Sequence, residues 1–217
     1  MFPIGDDNRG RRSAPVVTYV LIALNIVMFL LELNSGMAFI ERWSFIPSQF
    51  LANPEREFAT LFTSMFMHAG WLHLAGNMLF LWIFGDNVED RFGQGKFLTF
   101  YLLSGLGATA TQLIFNPNSS IPNLGASGAI AGVLGAYLVL FPNQSVLVLS
   151  RGGVVPVPAL IMIGMWFILQ LFSGVGSIGG ADTGGVAFMA HVGGFLTGVL
   201  LTNLMGETSR PRLTARY

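Results

Sequence analysis

The 217-residue chain is 53% hydrophobic and only 10% charged, and its 11 basic and 11 acidic side chains give a formal net charge of zero. A soluble domain carries roughly a quarter charged residues, so long stretches of this chain need a solvent other than water. With no basic patch, nucleic acid is a poor partner. With no cysteine, disulfides, thiolate catalysis and cysteine-ligated metals are excluded.

A polar N-terminal segment, residues 1–15, leads into the first apolar run, Val16–Leu33. Arg9, Arg11 and Arg12 give it the look of a signal peptide, but the run is too long for an h-region and no small-residue cleavage site follows, so it reads as a retained helix. The following loop, residues 34–69, mixes Phe39, Trp43, Phe45, Phe50, Phe58, Phe62 and Phe66 with Glu41, Arg42, Glu55, Arg56 and Glu57. That composition suits short amphipathic helices in the membrane interface.

Five more apolar segments follow: Gly70–Phe84, Phe97–Phe115, Ser127–Phe141, Val154–Phe172 and Val186–Met205. Most approach the ~20 residues that cross a ~30 Å hydrocarbon core. The expected fold is an all-α polytopic membrane protein, with one six-helix domain over residues 16–205 and a basic tail, 206–217. The lipid bilayer is its solvent. The glycines of residues 173–185 predict a mobile cap between the last two helices. No internal repeat of the kind used by many transporters is visible. With a cytoplasmic N-terminus, the inside segments hold Arg9, Arg11, Arg12, Arg91, Lys96, Arg151, Arg210, Arg212 and Arg216, against Arg42 and Arg56 outside. The positive-inside rule then puts both termini in the cytoplasm of a cell, plasma or inner, membrane.

Ionisable and strongly polar side chains inside such helices point to function. His73 falls in the first turn of the second segment, with Asn77 one turn deeper on the same face. Ser127 opens the fourth, and His191 lies in the first turns of the sixth. All three segments enter from the same side, so these four residues share a depth in the outer third. The fourth segment, at about 1.5 Å per residue, spans roughly 22 Å. It is too short to cross, so the uncharged loop NPNSSIPNLGA before Ser127 must dip into the membrane, which irregular backbone tolerates only in protein or around water.

A sunken, hydrated serine beside a histidine suits hydrolysis: Ser127 as nucleophile and His191 as its base. Backbone N–H groups from Gly125 through Ser127 at the helix start, with Asn77 and His73, could receive an oxyanion. Gly128 and Gly132 on the fourth segment and Gly194 and Gly198 on the sixth form small-residue faces that let the two helices approach closely.

These residues carry a resemblance. His73-x-x-x-Asn77, Gly125-x-Ser127-Gly128 and Ala190-His191-x-x-Gly194, with Val88–Gly93 similar to a Glu-x-Arg turn, look like the motifs of the rhomboid family of intramembrane serine proteases. The resemblance implies a six-helix rhomboid fold, a Ser–His dyad without an acidic third member, no cofactor or metal, and transmembrane proteins as substrates. Two departures stand out. Ala131 occupies a position where some members stack an aromatic ring on the base histidine, and a Trp-Arg pair late in the first loop is absent.

Blander readings exist for each position. Ser127 could be a small packing residue, His191 a packing histidine, Asn77 a helix bridge and His68 a structural donor. Asp182 reads as a solvated surface charge rather than a triad carboxylate, and Asn25, Gln112 and Gln170 as interhelical hydrogen-bonders. A zinc protease would need His-Glu-x-x-His, and no histidine precedes a glutamate. An aspartyl protease needs two intramembrane aspartates, and Asp86 has no such companion. The main alternative is a rhomboid-like pseudoprotease that binds transmembrane clients without cleavage; an intact Ser127–His191 pair argues against it. A transporter would need charged groups at the midplane.

Overall fold

A computed structural model describes residues 2–8, 10–176 and 187–206. Helices occupy all six apolar segments: α1 (Val16–Ser35), α6 (Trp71–Phe92), α7 (Gln94–Phe115), α8 (Ser127–Leu140), α9 (Ala159–Gly176) and α10 (Phe188–Met205). Three of them, α1, α7 and α10, are long and apolar enough to cross a membrane; Ser127–Leu140 and Ala159–Val175 are shorter apolar helices. Helix α6 has the length but carries Asp86, Glu89, Asp90 and Arg91 in its last turns.

The charged end of α6 departs from expectation and does more than end a helix. The segment Val88–Gly93 is not a turn. It is the last turn of α6, and a single glycine, Gly93 with φ of 76°, joins α6 to α7. A left-handed φ of this kind is the reason for glycine there. The Glu89 carboxylate accepts the N–H groups of Val17 (2.9 Å) and Thr18 (2.7 Å) and the Thr18 hydroxyl (2.8 Å). It thereby caps α1, whose own N-cap residue is Pro15 and supplies no side-chain bond.

Between α1 and α6 the chain folds into four short helices, α2 (Met37–Trp43), α3 (Pro47–Ala52), α4 (Pro54–Glu57) and α5 (Thr60–Thr63), followed by a 3-10 turn at Ser64–Phe66. Phe45, Ile46, Met65 and Met67 are buried.

The fifth segment is corrected at its start. Residues Ser145–Ser150 and Gly153–Pro158 form an antiparallel hairpin, β2 and β3, and the helix begins only at Ala159. A third strand, β1 (Phe2–Asp6), pairs with β2 in the order β1-β2-β3. Val146 and Val148 are buried while Leu147 and Leu149 are exposed, the two-residue alternation of a strand with one covered face. Pro156 and Pro158 lie on an edge strand, where a missing donor is tolerated. The N-terminal segment is thus not merely a polar leader. The tail beyond Gly206, most of the glycine-rich loop and Asp182 lie outside the described residues.

At the centre, α8 packs on α10 and both pack on α7. A Cβ on Gly194 would lie 2.0 Å from Gly128 O, one on Gly198 2.2 Å from Gly132 O, and one on Gly135 2.5 Å from Phe195 O. On the α7 side, Cβ atoms on Gly128 and Gly132 would meet Ala108 Cβ at 2.6 Å and Ser104 at 2.4 Å. The backbones touch because these positions lack side chains, which is the association device of helices that cannot rely on the hydrophobic effect between them.

Candidate active site

Ser127 is the first residue of α8, and the loop before it is strapped down by the short-helix region. Phe45 and Asn123 exchange both backbone hydrogen bonds (3.0 and 2.8 Å), and Gly125 N–H donates to Ser64 O at 2.8 Å. The serine is therefore held at a fixed level below the loop. His191, in the first turn of α10, faces it across the glycine contact: His191 Nε2 lies 2.7 Å from Ser127 Oγ. The other ring nitrogen, Nδ1, lies 2.6 Å from Gln170 Oε1 on α9.

His73, Asn77, Ser127 and His191 line one cavity of about 850 Å³, shared with Phe80, Ala131, Leu134 and Trp166. The donors around Ser127 differ from expectation in one respect. Gly125 N–H is engaged with Ser64 O and is not available to an oxyanion. Its φ of 128° and lack of a Cβ have another purpose: a Cβ there would lie 2.8 Å from His73 Cε1 and 2.9 Å from Nε2. Glycine admits the imidazole ring to the loop. The remaining backbone donors are the first-turn N–H groups of α8 from Ser127 onward, which have no partner within the helix.

Two side chains complete the set. Asn77 is buried and its Nδ2 has no hydrogen-bond partner. His73 Nδ1 accepts the Ala69 N–H at 3.3 Å, so in the neutral ring the proton sits on Nε2, which lies beside the Gly125 turn. His68 is nearly fully buried; its ring lies edge-on to His73 with centroids 5.2 Å apart, and neither of its ring nitrogens has a partner. Its backbone N–H donates to the Glu32 carboxylate at 3.1 and 3.2 Å.

Several contributors escape the sequence reading. Glu32, buried in α1, holds the strand of chain that delivers His73; an acid inside an apolar helix was the signal for it. With alanine at 131, the rings beside His191 are Trp166 on α9, tilted at 34° and 6.1 Å away, and Phe188 on α10, edge-on at 6.5 Å. Gln170 does bridge two helices, but its partner is the candidate base. Asn25 donates to Leu21 O of its own helix at 2.7 Å and also reaches the Tyr101 hydroxyl of α7, and Gln112 Oε1 is buried without a partner. Among the described residues, no cluster of His, Cys, Asp or Glu is arranged to hold a metal ion.

Apolar helices that sink a serine–histidine pair into a cavity near one end define a class, the helical membrane proteins with a buried polar site. Residues 55–208 match the Rhomboid domain, and the chain belongs to the rhomboid family. It is 36% identical over 173 residues to Rhomboid protease GluP of Bacillus subtilis, an alignment covering 78% of this chain and 34% of that protein. It is 29% identical over 190 residues to the mitochondrial Rhomboid protein 1 of Saccharomyces cerevisiae, covering 85% and 51% respectively. With the putative rhomboid protease YdcA of Bacillus subtilis it shares 32% identity over 135 residues, 61% of this chain and 67% of that one. The chain thus spans from about a third to two thirds of the length of these relatives, one of which is named a rhomboid protease and another a putative one.

Proposed function

We propose that this protein is an intramembrane serine endopeptidase that cuts membrane-protein substrates in or near their transmembrane segments with a Ser127–His191 dyad. The observation that carries the reading is the 2.7 Å contact between His191 Nε2 and Ser127 Oγ inside a cavity that also holds Asn77 with an unpaired donor.

The chemistry follows from the positions. Ser127 Oγ–H donates to Nε2; as the oxygen attacks a peptide carbonyl, the imidazole takes the proton. Negative charge develops on the carbonyl oxygen, where Asn77 Nδ2, His73 Nε2–H and the α8 N–H groups can receive it, helped by the positive end of the α8 dipole. Nε2–H then protonates the leaving amine. In the second half, His191 takes a proton from the water that attacks the acyl carbonyl, then returns it to Ser127 Oγ as the carbon–Oγ bond breaks and the carboxylic acid leaves. No metal or cofactor enters these steps.

The six apolar helices fit six spans, over residues 16–205, with both termini in the cytoplasm and the serine near the outer face of a cell membrane. The excess of Lys and Arg on the sheet side supports that orientation. The short helix α8 supports water access, because its start must lie below the outer surface.

The test uses the full chain in detergent or liposomes with a single-span reporter and a fluorophosphonate probe. Ser127→Ala and His191→Ala each abolish cleavage, and the probe labels the wild type but not Ser127→Ala. Retained cleavage by either purified variant overturns the dyad. A wild type that binds reporters without cutting or labelling would make it a client-binding relative instead.

A further inference from the structure

A neutral imidazole carries its one ring proton on either nitrogen, and only one of the two tautomers can act as a base toward a serine. A bare Ser–His dyad does not decide between them. We propose that Gln170 is a positioning residue that decides it: its Oε1 holds the proton of His191 on Nδ1 and so reserves Nε2 for Ser127. This rests on the dyad reading above.

The distances carry the proposal. Gln170 Oε1 lies 2.6 Å from His191 Nδ1, and Nε2 lies 2.7 Å from Ser127 Oγ. With the amide oxygen turned to the ring, as here, the first contact is a bond only when Nδ1–H donates. The opposite tautomer would need the amide to turn over and present its NH2 to Nδ1, and would point an N–H at Ser127. Trp166 lies one turn before Gln170 on the same face of α9, and its ring is 6.1 Å from the imidazole. One helix thus supplies both an acceptor and a wall for the same ring. A carboxylate could do the orienting too, but an anion in this apolar setting has a heavy desolvation cost. The neutral amide orients without it.

The location of Gln170 adds a consequence. Ser127 and His191 belong to α8 and α10, locked at Gly128, Gly132, Gly194 and Gly198. Helix α9 instead meets α10 through side chains, with Phe167 and Phe195 stacked at 4.3 Å. A shift of α9 would break the Gln170 bond while leaving the serine–histidine spacing intact. The competence of the base is therefore tied to the position of α9.

The experiment compares full-length wild type, Gln170→Leu and Gln170→Glu in detergent, by the rate of fluorophosphonate labelling against pH and by ¹⁵N NMR of the histidines. The wild type should show His191 protonated on Nδ1. Gln170→Leu should label about tenfold more slowly, equivalent to about 1.4 kcal/mol, at an unchanged half-saturating probe concentration. Gln170→Glu should recover most of the rate and move the acidic limb of the profile to higher pH, because a carboxylate favours the imidazolium. Wild-type labelling by Gln170→Leu with an unmoved pH limb overturns the proposal, as does a wild-type His191 protonated on Nε2. If the wild type is not labelled, the dyad reading fails, and the NMR tautomer still judges Gln170. If Gln170→Leu does not fold, the wild-type spectrum and Gln170→Glu decide.

Discussion

At the sheet end of the bundle, Glu89 gives its carboxylate to the first turn of α1, and Asp90 holds Ser13 through N–H (2.8 Å) and hydroxyl (2.5 Å). Asp86 pairs with Arg11, and Asp6 receives the Tyr137 hydroxyl at 2.7 Å and the Asn87 amide. At the serine end, Asn77 Nδ2 and both ring nitrogens of His68 are buried with no partner. Folding alone favours the first arrangement, since an unsatisfied buried polar group costs about 1–3 kcal/mol. Donors left open at the other end are what a site needs if charge is to appear there during a reaction. The sheet end commits its donors to the bundle and leaves an acceptor, Asp6 Oδ1, without a partner; the serine end keeps donors in reserve.

Four substitutions would break or sharpen that contrast. The largest effect is expected where the ends share a scaffold: Gly198→Val drives a side chain into Gly132 O, 2.2 Å from the Cβ position. It should lower stability by about 3 kcal/mol or more and abolish labelling, read as the melting temperature in detergent and probe incorporation. Asn77→Ala should separate the two properties. It should cut kcat roughly 100- to 1,000-fold, as for loss of one oxyanion donor, while leaving the melting temperature nearly unchanged; an unchanged kcat would remove Asn77 from the site.

Glu89→Gln should do the reverse. Losing charge-assisted bonds at the α1 cap should cost about 2 kcal/mol of stability, with the labelling rate of the folded protein preserved. The smallest effect concerns pH. Burial pushes the Asp6 carboxyl from its ordinary 3.8 up to about 6, against the hydrogen bonds from Tyr137 and Asn87. The folded state then prefers the protonated acid. Its favourable contribution is complete below pH 3.8 and is lost as pH rises to about 6. Asp6→Asn keeps a carbonyl acceptor and has no charge to bury, so its melting temperature should exceed the wild type's above pH 6 and converge with it near pH 4. A constant difference across that range would exclude the Asp6 ionisation as its source.

Much of the serine end was legible because its requirements are local. A helix that starts at Ser127 and stops by Leu140 is too short to cross a membrane, and glycines four apart mark where backbones touch. His73 and Asn77 share a face by helical spacing alone. What sequence could not supply is which groups already have partners. The Gly125 N–H looked like an oxyanion donor until Ser64 O was found to hold it, and Gln170 looked like a generic bridge until its partner was the imidazole. The hairpin is less legible for another reason: Val154 to Phe172 is mostly apolar, and periodicity does not separate a short strand from a helix in such a run. The clue in the sequence is Pro156 and Pro158, which a helix interior rejects, just after Arg151-Gly152-Gly153. Glu32, an acid inside the apolar α1, is a signal that the sequence does carry.

The pairing of β1 with β2 has a bearing on biogenesis. Phe2 sits opposite Leu149 and Asp6 opposite Val146, so the strand's partner is synthesised only after α1, α6, α7 and α8. Sheet contacts of such long sequence separation form late. Strand β1 must therefore wait without its strand partner while four helices are inserted, and an N-terminal fusion that blocks it would act on the last assembly step rather than the first.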